Sequence, residues 1–267
     1  MKACEGLSKV IYRCGENAGD SIRIDIIYED NHILAAVKPQ GILSQSDASG
    51  DTDFLTMIKE DIAVRANKPG AAFAGLVHRL DRNTGGTMVF AKTSKGASRL
   101  SEQLREKRFY KGYFALTEGE LGGGERFLKD RLVKNEMSNT VLKSGGGKLC
   151  ELYIKPILSN GAYTLVFAAP ITGRTHQIRA QLSLLGYPIA GDVKYGGTAL
   201  KADRNEPELG LWSSIAAVKH PTRDEMCVFI SCPPQTGIWK SFKKSVYGGF
   251  ADYIAGDGFE RFTGLKE

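Results

Sequence analysis

The sequence predicts a mixed α+β fold: a largely antiparallel sheet with helices packed against it. Short runs rich in Ile, Val, Leu and Tyr recur from Ile22 to Ile230, and turn residues separate them. Helical segments interrupt these runs without the strict strand–helix alternation of a doubly wound sheet. The chain has 267 residues, 42% hydrophobic and 25% charged. That is long enough to bury a core, and the composition is globular, not disordered or fibrous.

Taken in order, residues 1–20 lack clear periodicity and contain Gly6, Gly15 and Gly19, so they read as a short N-terminal arm before a single domain over 21–267. Ile22 to Tyr28 and Ile33 to Val37 flank the polar turn Glu29-Asp30-Asn31-His32 and predict a β-hairpin. Pro39 ends the second strand because it cannot donate to a ladder. Asp53 is placed to cap a helix with Phe54, Leu55, Ile58 and Ile62 inward, stopped by Pro69-Gly70. A short strand to His78, a Gly-rich loop and the strand Met88 to Ala91 follow. Ser94 then caps a second helix, with Leu100 and Leu104 on its buried face.

Beyond that helix the pattern turns β, with strands expected at Tyr113 to Leu116, Arg126 to Val133, Leu149 to Ile157 and Tyr163 to Ala168. Ser159-Asn160-Gly161 supplies the last turn, and the triplets Gly122-Gly123-Gly124 and Gly145-Gly146-Gly147 read as loop tips. A helix from about Arg174 to Leu185 ends at Gly186, with Pro188 just past it. Leu211 to Val218 and Met226 to Ile230 complete the strands.

The formal charge is +6 and the sequence pI about 9.0. From Leu76 to Phe114 there are nine Lys or Arg and three acids, so 9 − 3 = +6, a surplus equal to that of the whole chain. Such clustering marks either a polyanion-binding surface or a solvated helix face on which Glu102 and Glu106 pair with nearby cations. The five cysteines are scattered without a Cys-x-x-Cys pair, and no basic-then-apolar leader follows Met1, so a reducing cytoplasm without a disulfide framework is expected. No apolar run reaches the roughly 18 residues of a membrane span. His32, His78, His176 and His220 are far apart, and neither a phosphate-binding loop nor a dinucleotide fingerprint occurs. The expectation is chemistry carried by side chains alone, with no cofactor and no metal.

Three segments could carry it. Val77-His78-Arg79-Leu80-Asp81-Arg82-Asn83-Thr84-Gly85-Gly86 sets an acid among cations on a glycine-containing loop. Cationic neighbours favour the ionised form of Asp81, which could attack or hold charge; an Asx turn bonding its own backbone is the bland alternative. Thr172-Gly173-Arg174-Thr175-His176-Gln177-Ile178-Arg179 places two arginines early in an expected helix, against its macrodipole, which favours an anionic partner. Tyr110-Lys111-Gly112-Tyr113-Phe114-Ala115-Leu116 puts Lys111 and Tyr113 on one face of a strand. An aromatic beside a cation suits a flipped base, and it equally suits the edge of a core.

At these residues the sequence resembles the RluA-type family of RNA pseudouridine synthases. The resemblance rests on ordered blocks: Tyr28-Glu29-Asp30 through Lys38-Pro39-Gln40-Gly41, His78-Arg79-Leu80-Asp81 with Thr84 and Gly86, Lys111-Gly112-Tyr113-Phe114-Ala115, Gly173-Arg174-Thr175-His176-Gln177-Ile178-Arg179, Gly191-Asp192 with Tyr195-Gly196, and His220-Pro221. It implies the pseudouridine synthase fold with a central RNA cleft. It also implies that Asp81 is the catalytic aspartate, acting at the ribosyl C1′ of a uridine while the uracil is detached, turned and rejoined through C5.

By the same resemblance, Arg179 matches the arginine that pairs with this aspartate, Tyr113 the tyrosine that stacks near the base, Arg79 the arginine that fills the flipped nucleotide's space, and Leu211 the apolar pocket residue. Lys38, Lys111, Arg174 and His176 join Arg79 and Leu211 as expected substrate-binding residues. The implied partner is ribosomal or transfer RNA, bound by a monomer without a membrane or nucleotide cofactor. The chain departs from the family at Gly85, where Ser is usual, and at Trp212-Ser213, where His-Ala is usual; no S4 RNA-binding domain is recognisable. A non-catalytic RNA-binding relative is the alternative, and the presence of Asp81, Arg179 and Tyr113 together favours the enzyme. Glycoside hydrolysis would need a second acid placed with Asp81, and none stands out.

Overall fold

The computed structural model describes residues 9–13, 24–67, 69–70, 72–200 and 208–254. In chain order the strands are β1 (Lys9–Arg13), β2 (Asp25–Glu29), β3 (Ile33–Lys38), β4 (Gly75–Leu76), β5 (Gly85–Ala91), β6 (Tyr110–Glu118), β7 (Arg126–Asn135), β8 (Thr140–Lys143), β9 (Lys148–Ser159), β10 (Tyr163–Pro170), β11 (Leu211–Lys219) and β12 (Met226–Ser231). The helices are α1 (Phe54–Arg65), α2 (Ser94–Arg105), α3 (Gln177–Leu184) and α4 (Lys244–Tyr253). The predicted α+β class stands, with mixed, mostly antiparallel strands and four helices among the described residues.

The chain divides into two compact units, one of Met1–Tyr110, Ser213–Pro234 and Lys244–Glu267, the other of Lys111–Trp212 and Gln235–Lys243. In the first, the strand order is β2-β3-β5-β11, with β12 on β11, β4 on β5 and β1 on β12. The pairs β2·β3, β3·β5, β4·β5 and β11·β12 are antiparallel, whereas β1 runs parallel to β12. The second unit is an antiparallel sheet in the order β6-β10-β9-β7-β8.

Local chemistry explains most boundaries. The β2–β3 turn is built by Asp30, whose Oδ1 accepts from the amides of His32 at 2.7 Å and Ile33 at 2.9 Å, an Asx-type turn. Asp53 caps α1 by accepting from the Thr56 amide at 3.1 Å, and Phe54, Ile58 and Ile62 are buried beneath it. The α2 cap is Thr93, one residue before the expected Ser94: its hydroxyl accepts from the Gly96 amide at 3.0 Å, while Ser94 is already helical. Leu100 on α2 is fully buried with Ile33, Val89, Val218 and Phe229 in the core of the first unit.

Elsewhere the structure corrects the sequence reading. Residues 9–13 of the supposed arm form β1, whose register partners lie at Cys227 to Ser231. Strand β5 starts at Gly85 instead of Met88. Gly86 has φ +114°, and a Cβ there would sit 2.2 Å from the Ser213 carbonyl oxygen, so what reads as loop glycine is a close strand approach. Helix α3 begins at Gln177 instead of Arg174. His176 is left-handed at φ 50°, and Gln177 Oε1 takes the Thr172 hydroxyl at 2.8 Å and the Arg174 amide at 3.1 Å. Arg174 therefore lies before the helix, and of the two arginines only Arg179 is helical. Strand β8 and helix α4 were not foreseen.

In the second unit, α3 packs on the inner face of the β7–β8–β9 hairpins: Ala180 meets Leu132, Val141, Cys150 and Tyr195. Among the described cysteines, Cys150 and Cys227 are buried free thiols and Cys232 is disulfide-bonded, a pairing that the scattered spacing gave no reason to expect. No described helix is long and apolar enough to cross a membrane.

Candidate active site

The Asp81 loop is gripped by the segment after β3. Lys38 is fully buried, and its Nζ donates to the carbonyls of Ile42 at 2.6 Å, Pro39 at 2.9 Å and Arg82 at 3.0 Å. Three acceptors match the three donors of an ammonium. Burial pulls the Lys38 pKa down to about 7, with Asp81's charge opposing that shift and Arg82's adding to it.

Around this cation two loops are stitched together. The Gly41 amide donates to the Arg82 carbonyl at 3.0 Å, Arg82 Nε to the Gly41 carbonyl at 3.0 Å, and Gln40 Nε2 to the Asn83 carbonyl at 2.8 Å. On the other side of Asp81, Ser44 Oγ donates to the Leu80 carbonyl at 2.7 Å and accepts its amide at 3.0 Å. The turn itself closes through the backbone, Thr84 N–H to the Asp81 carbonyl at 3.0 Å. Asp81 is thus a half-buried residue on a loop whose backbone is held at positions 80, 82 and 83. Arg79 and Arg82 beside it are exposed, and His78 Nε2 accepts the Val89 amide at 2.9 Å, anchoring the preceding residues to β5.

Arg179 is held by different means. Its Nε and Nη2 reach Asp192 Oδ2 at 2.7 Å and Oδ1 at 2.8 Å, the bidentate geometry in which Arg and carboxylate match best. Asp192 is 2% exposed, so this is a buried ion pair. The guanidinium also lies 5.0 Å from the Tyr195 ring centroid. The Tyr195 hydroxyl accepts the Val141 amide at 2.8 Å and is hydrogen-bonded to His176 Nδ1 at 2.9 Å. Gly191 makes the turn to Asp192 possible: at φ +82°, a Cβ would lie 1.8 Å from the Glu208 carbonyl oxygen.

The other expected residues lie elsewhere in the same unit. Tyr113 is buried on β6. Lys111 is half-buried, its Nζ lies 3.5 Å from where a Gly173 Cβ would be, and burial lowers its pKa. Arg174 is exposed and Leu211 is buried. At the two departures from the family pattern, Trp212 packs edge-on to Trp239 and the Ser213 hydroxyl donates to the Thr87 carbonyl at 3.0 Å. Asp81, Arg79 and Lys38 belong to the first unit, and Arg179, Tyr113, Lys111, Arg174, His176 and Leu211 to the second.

Sequence reasoning placed Gln177, Asp192 and Tyr195 in motif blocks but gave them no roles. Two other motif blocks prove to be one structural latch. Asp30 Oδ2 takes His220 Nε2 at 2.8 Å, Arg223 Nη2 at 2.8 Å and the Tyr28 hydroxyl at 2.9 Å. Partial burial raises the Asp30 pKa, yet the His32 and Ile33 amides with His220 and Tyr28 hold it well below the usual carboxylate range.

An aspartate on a tightly held basic loop, with exposed arginines beside it, suits an enzyme that acts on a polyanion. The model of the RNA pseudouridylate synthase family matches residues 32–184. The chain is 36% identical over 218 residues to ribosomal large subunit pseudouridine synthase C of Vibrio parahaemolyticus, covering 80% of this chain and 67% of that one. It is likewise 36% identical over 227 residues to the protein of that name from Escherichia coli, covering 82% and 69%. The solved human RNA pseudouridylate synthase domain containing 4 shares the fold, with TM-score 0.63 at 22% identity over 79% of this chain and 89% of that one. The chain belongs to the RNA pseudouridylate synthase family. It is accordingly an RNA-modifying isomerase that converts uridine to pseudouridine.

Proposed function

We propose that this protein isomerises specific uridines of large-subunit ribosomal RNA in the cytoplasm, as a monomer, with Asp81 as the catalytic aspartate and no cofactor. The observation that carries the reading is the clamp around Asp81: bonds to the backbone at residues 80, 82 and 83 fix the loop that presents this half-buried aspartate among cations. Fixing the group before substrate arrives removes reorganisation from the chemical step. The choice of ribosomal RNA rests on the relatives' names.

In this reading Asp81 acts at C1′ of a flipped uridine, the N1–C1′ bond breaks, the uracil turns, the C5–C1′ bond forms and the C5 proton leaves. Tyr113 stacks on the base and is placed to take that proton, and Leu211 lines the base pocket. Arg79, exposed beside Asp81, fills the space the nucleotide vacates. By the family resemblance Arg179 has the role of the arginine that serves the catalytic aspartate, and Arg174, His176 and Lys111 engage the neighbouring RNA. Lys38, with every donor spent on carbonyls, positions the Asp81 loop. The basic α2 and the turn after it, with Lys95, Arg99, Arg105 and Lys107 exposed, track phosphates.

The test is base-resolution pseudouridine mapping of ribosomal RNA from cells with and without the gene, beside the purified protein acting on a ribosomal RNA transcript in EDTA. The expected result is loss of one or a few ribosomal pseudouridines, restored in vitro without added metal. Unchanged ribosomal pseudouridines with loss from transfer RNA would move the substrate assignment. A salt titration of transcript binding checks α2: Arg105→Gln, Lys107→Gln and Arg108→Gln together should flatten the log–log slope by roughly 0.7 per lost phosphate contact.

A further inference from the structure

A desolvated charge without a partner is costly, so cations that fold into partial burial bring their partners with them. In the second unit the described cations that are not exposed are Lys111, Arg126, Lys155 and Arg179. Arg126 is bonded to the Gly122 carbonyl, Lys155 to Glu125 at 2.7 Å and Arg179 to Asp192 at 2.7 Å. Lys111 has neither a hydrogen bond nor an ion pair, and its burial goes uncompensated.

Its surroundings show what would compensate it. Strand alternation puts Lys111 on the face of β6 that carries Tyr113, and the register continues that face through Ala168 to Ile154, and so to Cys150 on β9. Arg174 reaches the same face, where its charge acts on the Cys150 thiol. The Arg174 side chain, too, has no hydrogen bond or ion pair. The loop that joins these elements passes directly beside the ammonium, with the Gly173 Cβ position 3.5 Å from Lys111 Nζ. It is held in place by Gln177, which bonds Thr172, the Arg174 amide and the Glu151 carbonyl at 2.8–3.1 Å. The loop then enters α3, whose N-cap makes no side-chain bond and whose first turn holds no acid, leaving a donor-bearing, electropositive helix end. The nearby acids are engaged elsewhere, Glu151 with Lys129 at 3.1 Å and Asp130 with Lys143 and Gln181, each at 2.9 Å. A fixed loop with two unpartnered cations and an uncapped helix end is built for an anion. Uracil and ribose are neutral, so in an RNA substrate that anion is a backbone phosphate.

We propose that Lys111, Arg174 and the N-terminal end of α3 form a subsite for one backbone phosphate of the substrate RNA. This rests on the reading of the protein as an RNA uridine isomerase and names the group that Lys111 and Arg174 engage.

The experiment uses the full chain and a ribosomal RNA transcript, with binding measured across salt and pseudouridine formation in single turnover. Lys111→Met and Arg174→Gln should each weaken transcript binding about tenfold, and Lys111→Arg should retain it. The two substitutions together should flatten the log–log salt slope by roughly 0.7, the value for one phosphate; roughly 1.4 would assign the cations to separate phosphates and overturn the shared subsite. Because Lys111 has no partner to lose, Lys111→Met should unfold at or above the wild-type urea midpoint. A lowered midpoint with unchanged RNA affinity makes the lysine structural and overturns the subsite. So does inorganic phosphate that raises the wild-type midpoint but not that of Lys111→Met while RNA affinity is equal in both, which would assign the site to a free anion. If the wild type makes no pseudouridine while both variants lose affinity and slope, the subsite stands and the isomerase reading fails. Normal turnover with unaltered affinity and slope gives the reverse.

Discussion

The loop that carries Asp81 and the helix that carries Arg179 are rigid for opposite reasons. Around Asp81 a single buried cation, Lys38, is solvated by neutral carbonyls, and five further bonds between two loops share the load. Around Arg179 the structure depends on one carboxylate, Asp192, with Tyr195 behind it. The first arrangement loses its geometry gradually as bonds are removed. The second fails at one residue, because removing one member of a buried ion pair strands the other.

The largest effect expected is at the group both devices are proposed to serve. Asp81→Asn keeps shape and loses the charged oxygen, so single-turnover pseudouridine formation should fall on the order of a thousandfold or more, with RNA affinity unchanged. Turnover within tenfold of wild type would remove Asp81 from the chemistry. Next, Asp192→Ala should destabilise by about 3–5 kcal/mol in urea unfolding. A loss near 1 kcal/mol would show that Arg179 re-pairs readily and would erase the contrast between the devices.

Lys38 gives the pH arm of the comparison. Its folded pKa is depressed from 10.5 to about 7, so between those values the unfolded chain binds the extra proton and stability rises with pH. Lys38→Met should remove that rise, a slope of at most ~1.4 kcal/mol per pH unit, measured as the wild-type-minus-variant difference in unfolding free energy from pH 7 to 10. The smallest effect is at Tyr195→Phe, which leaves the Val141 amide without its acceptor and should cost about 1–3 kcal/mol.

What could be read from the sequence follows the range of the forces involved. The Asp30 turn, the Asp53 cap and the Gly186 stop are local devices, each signed by a residue type within four positions of what it controls. The Asp81 and Arg179 motifs were legible because unusual residue types are contiguous there. Strand β1 was not, since its only evidence is a partner more than 200 residues away. The start of α3 was misplaced because a left-handed non-glycine, His176, stands at its N-cap without a side-chain cap bond, so no Ser, Thr, Asp or Asn marks the boundary. Lys38 stood out as a cation in a motif, but its burial exists only once carbonyls from residues 39, 42 and 82 converge. Asp192 carries no local pattern tying it to a helix thirteen residues upstream.

The β1–β12 pairing and the Asp30–His220 latch bear on how the chain emerges from the ribosome. Strands β1 to β3 are complete by residue 38, yet the partners that close their unit end at Ser231. At ~5–20 residues per second, translation of the intervening chain takes roughly 10–40 s. Throughout that interval the amino-terminal strands lack β12 and the His220 side of the latch, while residues 111–212, nearly all of the second unit, are already out and able to fold. The newborn protein thus matures from its middle outward, and its first strands are the last to be sealed.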